Sequence, residues 1–441
     1  MRPSGLLVGA ASAALLLAAA ATAWPVLGPL ARVGAGTAAL LALLDGFLAW
    51  RLPPPALERR LPGTLPIGAW TRVRLRLRHG LPLARRVRIF DDLPAEVQVQ
   101  GQPRDLLLGP RGILELSYRL RPVRRGRMTL GPAHLQVGSP FGFWWRAHRV
   151  GPEQALRVYP NFAAVRKYAL LQVEHRLAGL GVHQRRRRGE GAEFHQLREF
   201  REGDSLRQVD WKATARMRRL VSREYQDERD QQVLLLLDCG RRMRTLEPPR
   251  DGQDLPLAHF DHVLDASLLL AYVALKEGDA VGLLSFAGED RWLPPRKGPA
   301  ALKAMLAGLY DLQPGTAATD YLAAARACLG RQRKRSLVVL VTALRDEDDE
   351  TLVPALKLLQ SRHRVLLAGL RERELDDLLA GPVAGFEAAL LQGATHQYLA
   401  QRRATFERLA AQGVRGLDLR PDQLPLALVN RYLELKRGGS V

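Results

Sequence analysis

Alternating carboxylate and cationic side chains form the densest group of chemically capable residues in this sequence, between positions 198 and 224. The acidic members are Glu199, Asp204, Asp210 and Glu224, and the basic members are Arg198, Arg207, Lys212 and Arg216, with Trp211 among them. Paired carboxylates could act as general acid and general base in a hydrolase. Opposite charges at close spacing neutralise one another, and no nucleophile stands beside a base. The favoured interpretation is therefore an ion-pair and hydrogen-bond network that fastens this segment to the region 231–441, with Trp211 as its buried apolar plug, and the alternative is an active or partner-binding surface.

Several classes of catalytic or metal site are missing from the sequence. It contains no Gly-rich phosphate loop, no Gly-x-Ser-x-Gly elbow and no His-Glu-x-x-His helix. The two cysteines, Cys239 and Cys328, are too few for a disulfide framework or a structural cysteine-based zinc site. His183 and His195 lack the carboxylate spacing typical of a metal site, so both are expected to be ordinary polar residues. The sequence therefore predicts no cofactor.

The chain is strongly basic, because its 441 residues include 66 Lys and Arg against 45 Asp and Glu, a formal net charge of +21. Nearly all of this excess is arginine, spread along the chain rather than gathered in one patch, which is the weak form of a nucleic-acid signal. No specific nucleic-acid partner is expected, and adhesion to an anionic membrane surface is the better supported use of the charge. The run of four arginines at 185–188 is interpreted as a solvated loop.

Two long apolar runs at the N-terminus predict how the chain meets a membrane. Residues 5–24 carry no charge and residues 33–50 are interrupted only by Asp45, so both are long enough to cross the hydrocarbon core. The favoured interpretation is a two-helix transmembrane hairpin over residues 1–52, with a cleaved signal peptide as the alternative for the first run. Because basic residues outside the pair outnumber the one in the turn, we expect a multi-pass protein of the bacterial inner membrane, with the bulk of the chain cytoplasmic. Asp45 is interpreted as a polar residue near a helix end.

The region 53–160 follows the period of a β-strand. Residues 71–78 alternate arginine with apolar residues, which predicts a strand with one buried face and one arginine-covered face. Similar short patterns recur between Gly and Pro residues, so this region is predicted to be an antiparallel β-sandwich-like domain. The arginine face is interpreted as solvated, and membrane-surface binding is its less favoured use.

Strands and helices alternate in the region 231–441. The predicted strands are 233–237, 280–286, 336–341, 364–370 and 414–419, and the predicted helices are 259–277, 299–312, 320–329, 350–360, 395–411 and 423–436. This alternation is typical of an α/β fold with a doubly wound parallel sheet covered on both faces. Such folds bind ligands beyond the carboxyl ends of their strands, which here are Asp238, 285–288 and 342–346.

An ordered motif between positions 193 and 225 resembles a known family. Its parts are 193–194, 197–200, 203–204, 207–216 and 220–225, accompanied by Arg124-Arg125-Gly126-Arg127, Leu130-Gly131-Pro132, Pro140-Phe141-Gly142 and Val158-Tyr159-Pro160. Together they closely resemble the signature of a bacterial membrane-protein family catalogued as domain of unknown function 58. The resemblance covers most of the chain, including the N-terminal hairpin. Residues 161–230 are called the signature segment below.

The region 231–441 resembles a von Willebrand factor A domain, which members of this family are thought to contain. In that fold a motif Asp-x-Ser-x-Ser, a Thr from a second loop and an Asp from a third loop bind magnesium through oxygen ligands. Asp238 and Thr319 match this pattern. Where the other ligands are expected, the sequence has Gly240, Arg242 and Ala343, and Asp346 is a weak substitute. The resemblance therefore implies a degenerate site that binds no divalent metal, in which Arg242 either pairs with Asp238 in place of the ion or points to water.

The resemblance also implies a membrane-anchored protein-interaction or assembly scaffold rather than an enzyme. Relatives often look like neighbours of MoxR-type AAA+ ATPases and transglutaminase-like membrane proteins, so a MoxR-type ATPase is the expected partner. The alternatives are a hydrolase that uses carboxylates of the signature segment and a basic binder of nucleic acid or membrane surfaces. Affinity that collapses with salt would favour nucleic acid, whereas salt-insensitive capture of an ATPase would favour the scaffold.

Overall fold

The chain folds into two compact units, Met1–Tyr159 and Pro160–Val441. The computed structural model describes residues 1–24, 26, 28–102, 104–161, 193–201, 209–226, 231–249, 256–345 and 348–438. Both cysteines are free and buried.

The first unit contains the two apolar helices and three sheets. Its elements are β1 (Arg2–Pro3), α1 (Gly5–Ala23), α2 (Gly28–Arg51), β2 (Ala56–Arg60), β3 (Thr64–Pro66), β4 (Thr71–Arg78), β5 (Arg85–Phe90), β6 (Val97–Gln100), β7 (Arg104–Leu108), β8 (Ile113–Pro122), β9 (Gly126–Leu130), β10 (Ala133–Gly138), β11 (Trp144–Val150) and β12 (Gln154–Tyr159). The strand orders are β1-β11-β10-β5-β7, β3-β12-β9 and β2-β4-β8-β6.

The predicted strand over 71–78 is confirmed as β4. Its residues Val73, Leu75 and Leu77 are buried, while the arginines between them lie on the opposite face. This is the alternation that a strand imposes, because successive side chains point to opposite sides of a sheet.

Helices α1 and α2 are both long and apolar enough to cross a membrane. Helix α2 begins at Gly28, five residues before the predicted apolar run, because a proline such as Pro29 is tolerated in the first turn of a helix, where its missing N–H costs no hydrogen bond.

The carboxyl-terminal half of α2 packs against the loop before β11 through Asp45, a fully buried residue. Its carboxylate accepts hydrogen bonds from the backbone N–H of Phe141 at 2.9 Å and of Phe143 at 3.0 Å, and from the hydroxyl of Ser139. The indole N–H of Trp144 donates to a carbonyl of the same helix at 2.8 Å. Asp45 is thus a structural anchor between helix and sheet.

The second unit is built on a six-stranded sheet. Its elements are β13 (Glu193–Glu199), α3 (Trp211–Met217), β14 (Val221–Gln226), β15 (Gln232–Asp238), β16 (Leu246–Glu247), β17 (Leu257–Ala258), α4 (His259–Lys276), β18 (Ala280–Phe286), β19 (Trp292–Arg296), α5 (Pro299–Leu309), α6 (Tyr321–Arg331), β20 (Leu337–Thr342), α7 (Asp349–Gln360), β21 (Arg364–Leu370), α8 (Glu374–Ala380), α9 (Phe386–Ala411), β22 (Arg415–Leu419) and α10 (Leu424–Arg437).

The sheet has the order β19-β18-β15-β20-β21-β22, and all neighbouring pairs are parallel except β18 with β19. Residues of α4, α5 and α10 pack in one apolar cluster with one face of the sheet, and residues of α6 and α7 pack in a second cluster with the other face. Two covered faces explain the continuous apolar runs of the central strands.

The five predicted strands of this unit agree with the structure to within one residue at each end. Strand β19, helix α8 and the first turns of α9 are among the parts of this unit that the sequence did not predict. Strand β19 contains two prolines and lies at the edge of the sheet, where a missing N–H is tolerated. Helix α8 buries none of its residues, and the first two turns of α9 are mostly exposed, so neither carries the apolar periodicity that identifies a helix from sequence.

Candidate functional site at the carboxyl ends of the parallel strands

Asp238 lies at the carboxyl end of β15, between β18 and β20. The chain continues from β15 to α4 on one face of the sheet and from β20 to α7 on the other face. The residue is fully buried. Its carboxylate accepts hydrogen bonds from the N–H of Gly240 at 2.7 Å, the hydroxyl of Thr342 at 2.6 Å and the hydroxyl of Thr319 at 3.0 Å. Burial raises the pKa of Asp238, and these three donors oppose that rise by stabilising the charged form. The crevice at which doubly wound sheets bind ligands is therefore occupied by an internally satisfied carboxylate.

Gly240 is required by the close approach of these donors. A β-carbon at this position would lie 2.7 Å from the hydroxyl oxygen of Thr319 and 3.0 Å from Oδ1 of Asp238. It would also lie 3.2 Å from the backbone oxygen of Ala317. The space that a serine would need at the first departure from the Asp-x-Ser-x-Ser motif is thus filled by the threonine and the aspartate.

Arg242 makes an ion pair with Asp348, with 2.5 Å between Nη1 and Oδ2. The same carboxylate accepts from the N–H of Arg345 at 2.9 Å and from the hydroxyl of Tyr321 at 3.3 Å. Tyr321 and Thr342 are joined by a hydrogen bond of 2.9 Å, so this group continues into the Asp238 group. The expectation that Arg242 points to water is wrong, since its side chain is only 20% exposed. The other expectation, an ion pair with Asp238, is corrected as well, because the carboxylate that pairs with Arg242 belongs to Asp348.

These residues do not fit a magnesium ion. Magnesium takes about six oxygen ligands in near-ideal octahedral geometry. Ala343 offers no side-chain oxygen, and the guanidinium of Arg242 places a positive charge beside the same edge. Across the described residues, no group of three or more His, Cys, Asp and Glu side chains is arranged to hold a metal ion. Asp346, the substitute ligand considered from the sequence, lies outside the described residues.

In the signature segment, β13 and β14 form an antiparallel pair, and α3 precedes the second strand. Asp210 caps α3, because its carboxylate accepts from the N–H of Lys212 at 3.0 Å and of Ala213 at 2.9 Å. Glu199 pairs with Arg219 at 2.7 Å, with both side chains more than half exposed. Of these two carboxylates, Asp210 thus serves as a helix cap and Glu199 forms a surface ion pair.

Trp211 is not a buried plug, which corrects the expectation from the sequence. Its side chain is 65% exposed. Helix α3 meets β14 through the hydroxyl of Thr214, which accepts from the N–H of Val221 at 3.1 Å. Among the residues of this segment whose burial the structure describes, Val209 and Val221 are the buried apolar ones, and Trp211 is not packed with them. Met217, Leu220 and Leu197 are also exposed.

The structure describes less of the other residues that were predicted to matter in the signature segment. Lys212 and Arg216 are exposed on α3. Arg198 lies in β13 and Glu224 in β14, but their side chains are outside the described part of the structure. Asp204, Arg207, His183 and the arginines at 185–188 also fall outside it.

Sequence reasoning placed Thr342 at the same strand ends as Asp238 but gave it no role, and it missed Asp348 and Tyr321. Tyr321 directly follows the Thr319-Asp320 pair that was considered for the second loop. Asp348 pairs with a residue 106 positions away, and the sequence carries no signal of that pairing.

Comparisons with known proteins agree with the resemblance seen in the motif. The chain is 24% identical over 193 residues to the uncharacterized protein YeaD of Bacillus subtilis (strain 168), a match that spans 44% of each protein. An aerotolerance-related membrane protein from Bacteroides fragilis, solved with multiple mutations to serine, is 18% identical with a TM-score of 0.27, over 46% of this chain and 98% of that one. A FixG-related protein from Vibrio parahaemolyticus is 9% identical with a TM-score of 0.19, over 24% and 98%.

The two structural likenesses are too weak to support an argument about the fold. The sequence profile is more specific, because it matches residues 196–412, which include most of the motif of the signature segment and most of the α/β sheet. With its two apolar N-terminal helices, the chain has the features of a membrane-associated protein, and residues 196–412 belong to the family described as protein of unknown function DUF58.

Proposed function

We propose that the chain is a membrane-anchored protein-interaction or assembly scaffold, and not an enzyme. The observation that carries the proposal is the exposed Trp211 in the signature segment. Tryptophan, methionine and arginine are enriched at the centres of protein interfaces, and a large indole left in water at a structured position is typical of such a surface. The exposed residues that accompany it are Leu197, Arg216, Met217, Arg218, Arg219 and Leu220.

The contacts of the neighbouring carboxylates favour a scaffold over a hydrolase. Asp210 is engaged with the first turn of α3, and Glu199 lies in an exposed ion pair with Arg219. A general acid or base must exchange a proton with the reacting group. In the described part of the segment, Asp210 instead accepts from two backbone N–H groups and Glu199 faces an arginine.

We infer that the α/β domain is von Willebrand factor A-like and takes part in partner binding without a metal. The sheet order with one antiparallel edge strand supports this inference, as does the meeting of Asp238 and Thr319 at the strand ends. The closed hydrogen-bond network of Asp238 and the Arg242–Asp348 ion pair give a preformed edge that needs no ion. The partner proposed is a MoxR-type AAA+ ATPase, working with a transglutaminase-like membrane protein, as the family resemblance implies.

The proposed location is the bacterial inner membrane, with a multi-pass hairpin and a cytoplasmic bulk. The structure of the first unit supports a hairpin whose two ends lie on one side. Strand β1, which precedes α1, pairs with β11, and Asp45 near the end of α2 binds the loop that leads into β11. A hairpin held at both ends by the same sheet returns the chain to the side from which it started.

The experiment compares crosslinking of Trp211→Ala and normal protein in native membranes, followed by identification of the captured proteins. Phe90→Ala is the matched control, because Phe90 is an exposed aromatic residue in the other unit. We expect Trp211→Ala to keep a normal melting temperature and to lose a stoichiometric partner that the control retains. Unchanged capture by Trp211→Ala, or a fall in its melting temperature of the size seen for buried aromatic residues, would contradict the proposal.

A second variant, Phe386→Ala, tests where the partner-binding surface lies. Phe386, 80% exposed at the start of α9, is the other large aromatic residue exposed in the described part of the α/β region. If Phe386→Ala loses the partner and Trp211→Ala keeps it, the surface lies on α9 and the assignment to the signature segment is wrong.

A further inference from the structure

A cavity of about 270 Å³ opens at the amino ends of the parallel strands, at the sheet edge opposite to Asp238. It lies where β20, β21 and β22 begin, beneath the ends of α7 and α9. Its lining includes Arg335, Gln360, His363, Arg364 and Arg415. Three arginines line the cavity and no acidic residue does.

The sequence positions of these arginines explain why they meet. In the parallel register Leu337 is opposite Arg364, and Leu366 is opposite Arg415, so β21 and β22 bring their first residues to one edge. Arg335 lies two residues before β20. Because parallel strands start at the same edge of a sheet, residues distant in sequence are gathered into one cationic site.

More positive charge surrounds the opening. Arg333, Lys334 and Arg362 are exposed within three residues of lining residues. His363 is only 3% exposed, and the backbone of Gln332 approaches its ring without a hydrogen bond of ordinary geometry. Burial lowers the pKa of His363, and the positive charge of Arg362 lowers it further. The neutral ring can therefore serve as one hydrogen-bond donor beside the arginines.

The chemistry of these groups selects a phosphate over other small ligands. Guanidinium forks bind phosphate oxygens through paired, charge-assisted hydrogen bonds, and clusters of arginine are the usual means of recognising a phosphorylated group. A single carboxylate carries too little charge to balance three guanidinium groups. The volume lies just below the range of about 300–1,000 Å³ typical of drug-sized ligands, so it suits a phosphate or a small phosphorylated headgroup.

We propose that this cavity is a binding site for a phosphate group, held by Arg335, Arg364 and Arg415 with Gln360 and His363. The site is separate from the Asp238 edge and from the signature segment. Its phosphate comes either from a free phosphorylated molecule or from the headgroup of an anionic lipid.

The test measures the binding of inorganic phosphate to the full chain in detergent by calorimetry, at constant ionic strength with chloride as the competing anion. The double variant Arg335→Gln/Arg415→Gln removes two exposed cations, and Arg403→Gln on α9 removes one exposed cation that does not line the cavity. We expect saturable, roughly equimolar phosphate binding, a raised melting temperature, and a loss of about tenfold or more in affinity for the double variant alone. Without phosphate, the double variant should be at least as stable as the normal chain, because repulsion between cations is relieved.

The source of the phosphate is separated by repeating the titration in nanodiscs of neutral phosphatidylcholine and in nanodiscs that also contain phosphatidic acid. If the lipid is the source, phosphatidic acid weakens phosphate binding by the normal chain. If a free molecule is the source, both nanodiscs give the same affinity. Absence of saturable binding, or equal affinity in the double variant, overturns the site. Binding of a short DNA duplex that depends on these arginines, without binding of phosphate, also overturns it in favour of a polyanion surface.

Discussion

The buried carboxylate of Asp238 allows a sharp test of the α/β site, because it is replaceable by a neutral group of the same shape. In Asp238→Asn the amide oxygen can accept from the N–H of Gly240 and the hydroxyl of Thr319. The amide nitrogen must then face Thr342, whose hydroxyl can accept from it by donating instead to Tyr321 at 2.9 Å. The network can therefore rearrange by turning hydroxyl groups, so that the three groups that donate to Asp238 each keep an acceptor.

The expected changes in the free energy of unfolding follow from the hydrogen bonds that each variant loses or keeps. Asp238→Ala leaves three donors without their acceptor, and an unsatisfied buried donor costs about 1–3 kcal/mol, so we expect a loss of about 3 kcal/mol or more in the free energy of unfolding. Asp238→Asn keeps the hydrogen bonds and removes the cost of burying a charge, so we expect a change within about 1 kcal/mol of zero.

The direction of the pKa shift of Asp238 determines how the stability of Asp238→Asn, relative to the normal chain, should change with pH. Burial raises the pKa of Asp238 in the folded chain above its unfolded value of about 3.9. Between these two pKa values the folded state binds more protons than the unfolded state, so the carboxylate makes the chain less stable as the pH rises through that window. Asp238→Asn lacks this contribution, and its stability relative to the normal chain should therefore improve from acidic to neutral pH.

The assay is calorimetric unfolding of the full chain and both variants in the same detergent at several pH values. Since the chain has two units, the transition that moves in Asp238→Ala identifies the α/β unit. A change of 1 kcal/mol corresponds to a shift of about 2 °C for a unit of this size. A loss of more than about 2 kcal/mol in Asp238→Asn at neutral pH, or a magnesium-dependent rise in melting temperature that this variant abolishes, would refute the reasoning.

Three further outcomes are expected. Gly240→Ser should lower the melting temperature by an amount equivalent to about 1–3 kcal/mol, because its β-carbon needs space held by the hydroxyl of Thr319, and calorimetry without added metal measures this. Asp45→Ala should lower the stability of the first unit by about 3 kcal/mol or more, while Asp45→Asn should lose less, because its amide oxygen still accepts; limited proteolysis in native membranes compares them. A reporter fused to the C-terminus should be active only in the cytoplasm, and periplasmic activity would reverse the proposed topology.

The elements of the α/β sheet were predictable wherever burial leaves a pattern in the sequence. Strand β18 is buried at every position and stands out as seven apolar or small residues that directly follow Gly278 and Asp279. Strand β4 is buried at alternate positions and stands out by its period of two. Helix α8 and the start of α9 bury little, so the residues there are under no constraint that a periodicity could reveal.

The candidate site was predictable only in the residues that a motif places. Asp238 and Thr319 follow the order of a known pattern, and the structure brings them together at 3.0 Å. The exposure of Trp211 was not predictable, because the composition of an ion-pair segment with one tryptophan fits a buried plug and a surface anchor equally well. Packing decides between the buried plug and the surface anchor, because Val209 and Val221 are the buried apolar residues in the described part of the signature segment.

Gly240 and Arg242, which stand at two of the expected metal-ligand positions, depend on each other. Removal of the side chain at Gly240 lets Thr319 donate directly to Asp238 at 3.0 Å, which satisfies a carboxylate that would otherwise need a cation. A guanidinium at position 242 would be costly in a metal site, but it is stabilised once Asp348 lies 2.5 Å from it. Each change removes the cost of the other, because N–H and hydroxyl donors satisfy the carboxylate of Asp238 without a cation beside Arg242. The edge is thereby held by hydrogen bonds and an ion pair within the chain, and the hydroxyl of Tyr321, 2.9 Å from that of Thr342 and 3.3 Å from Oδ2 of Asp348, joins its two halves into one network.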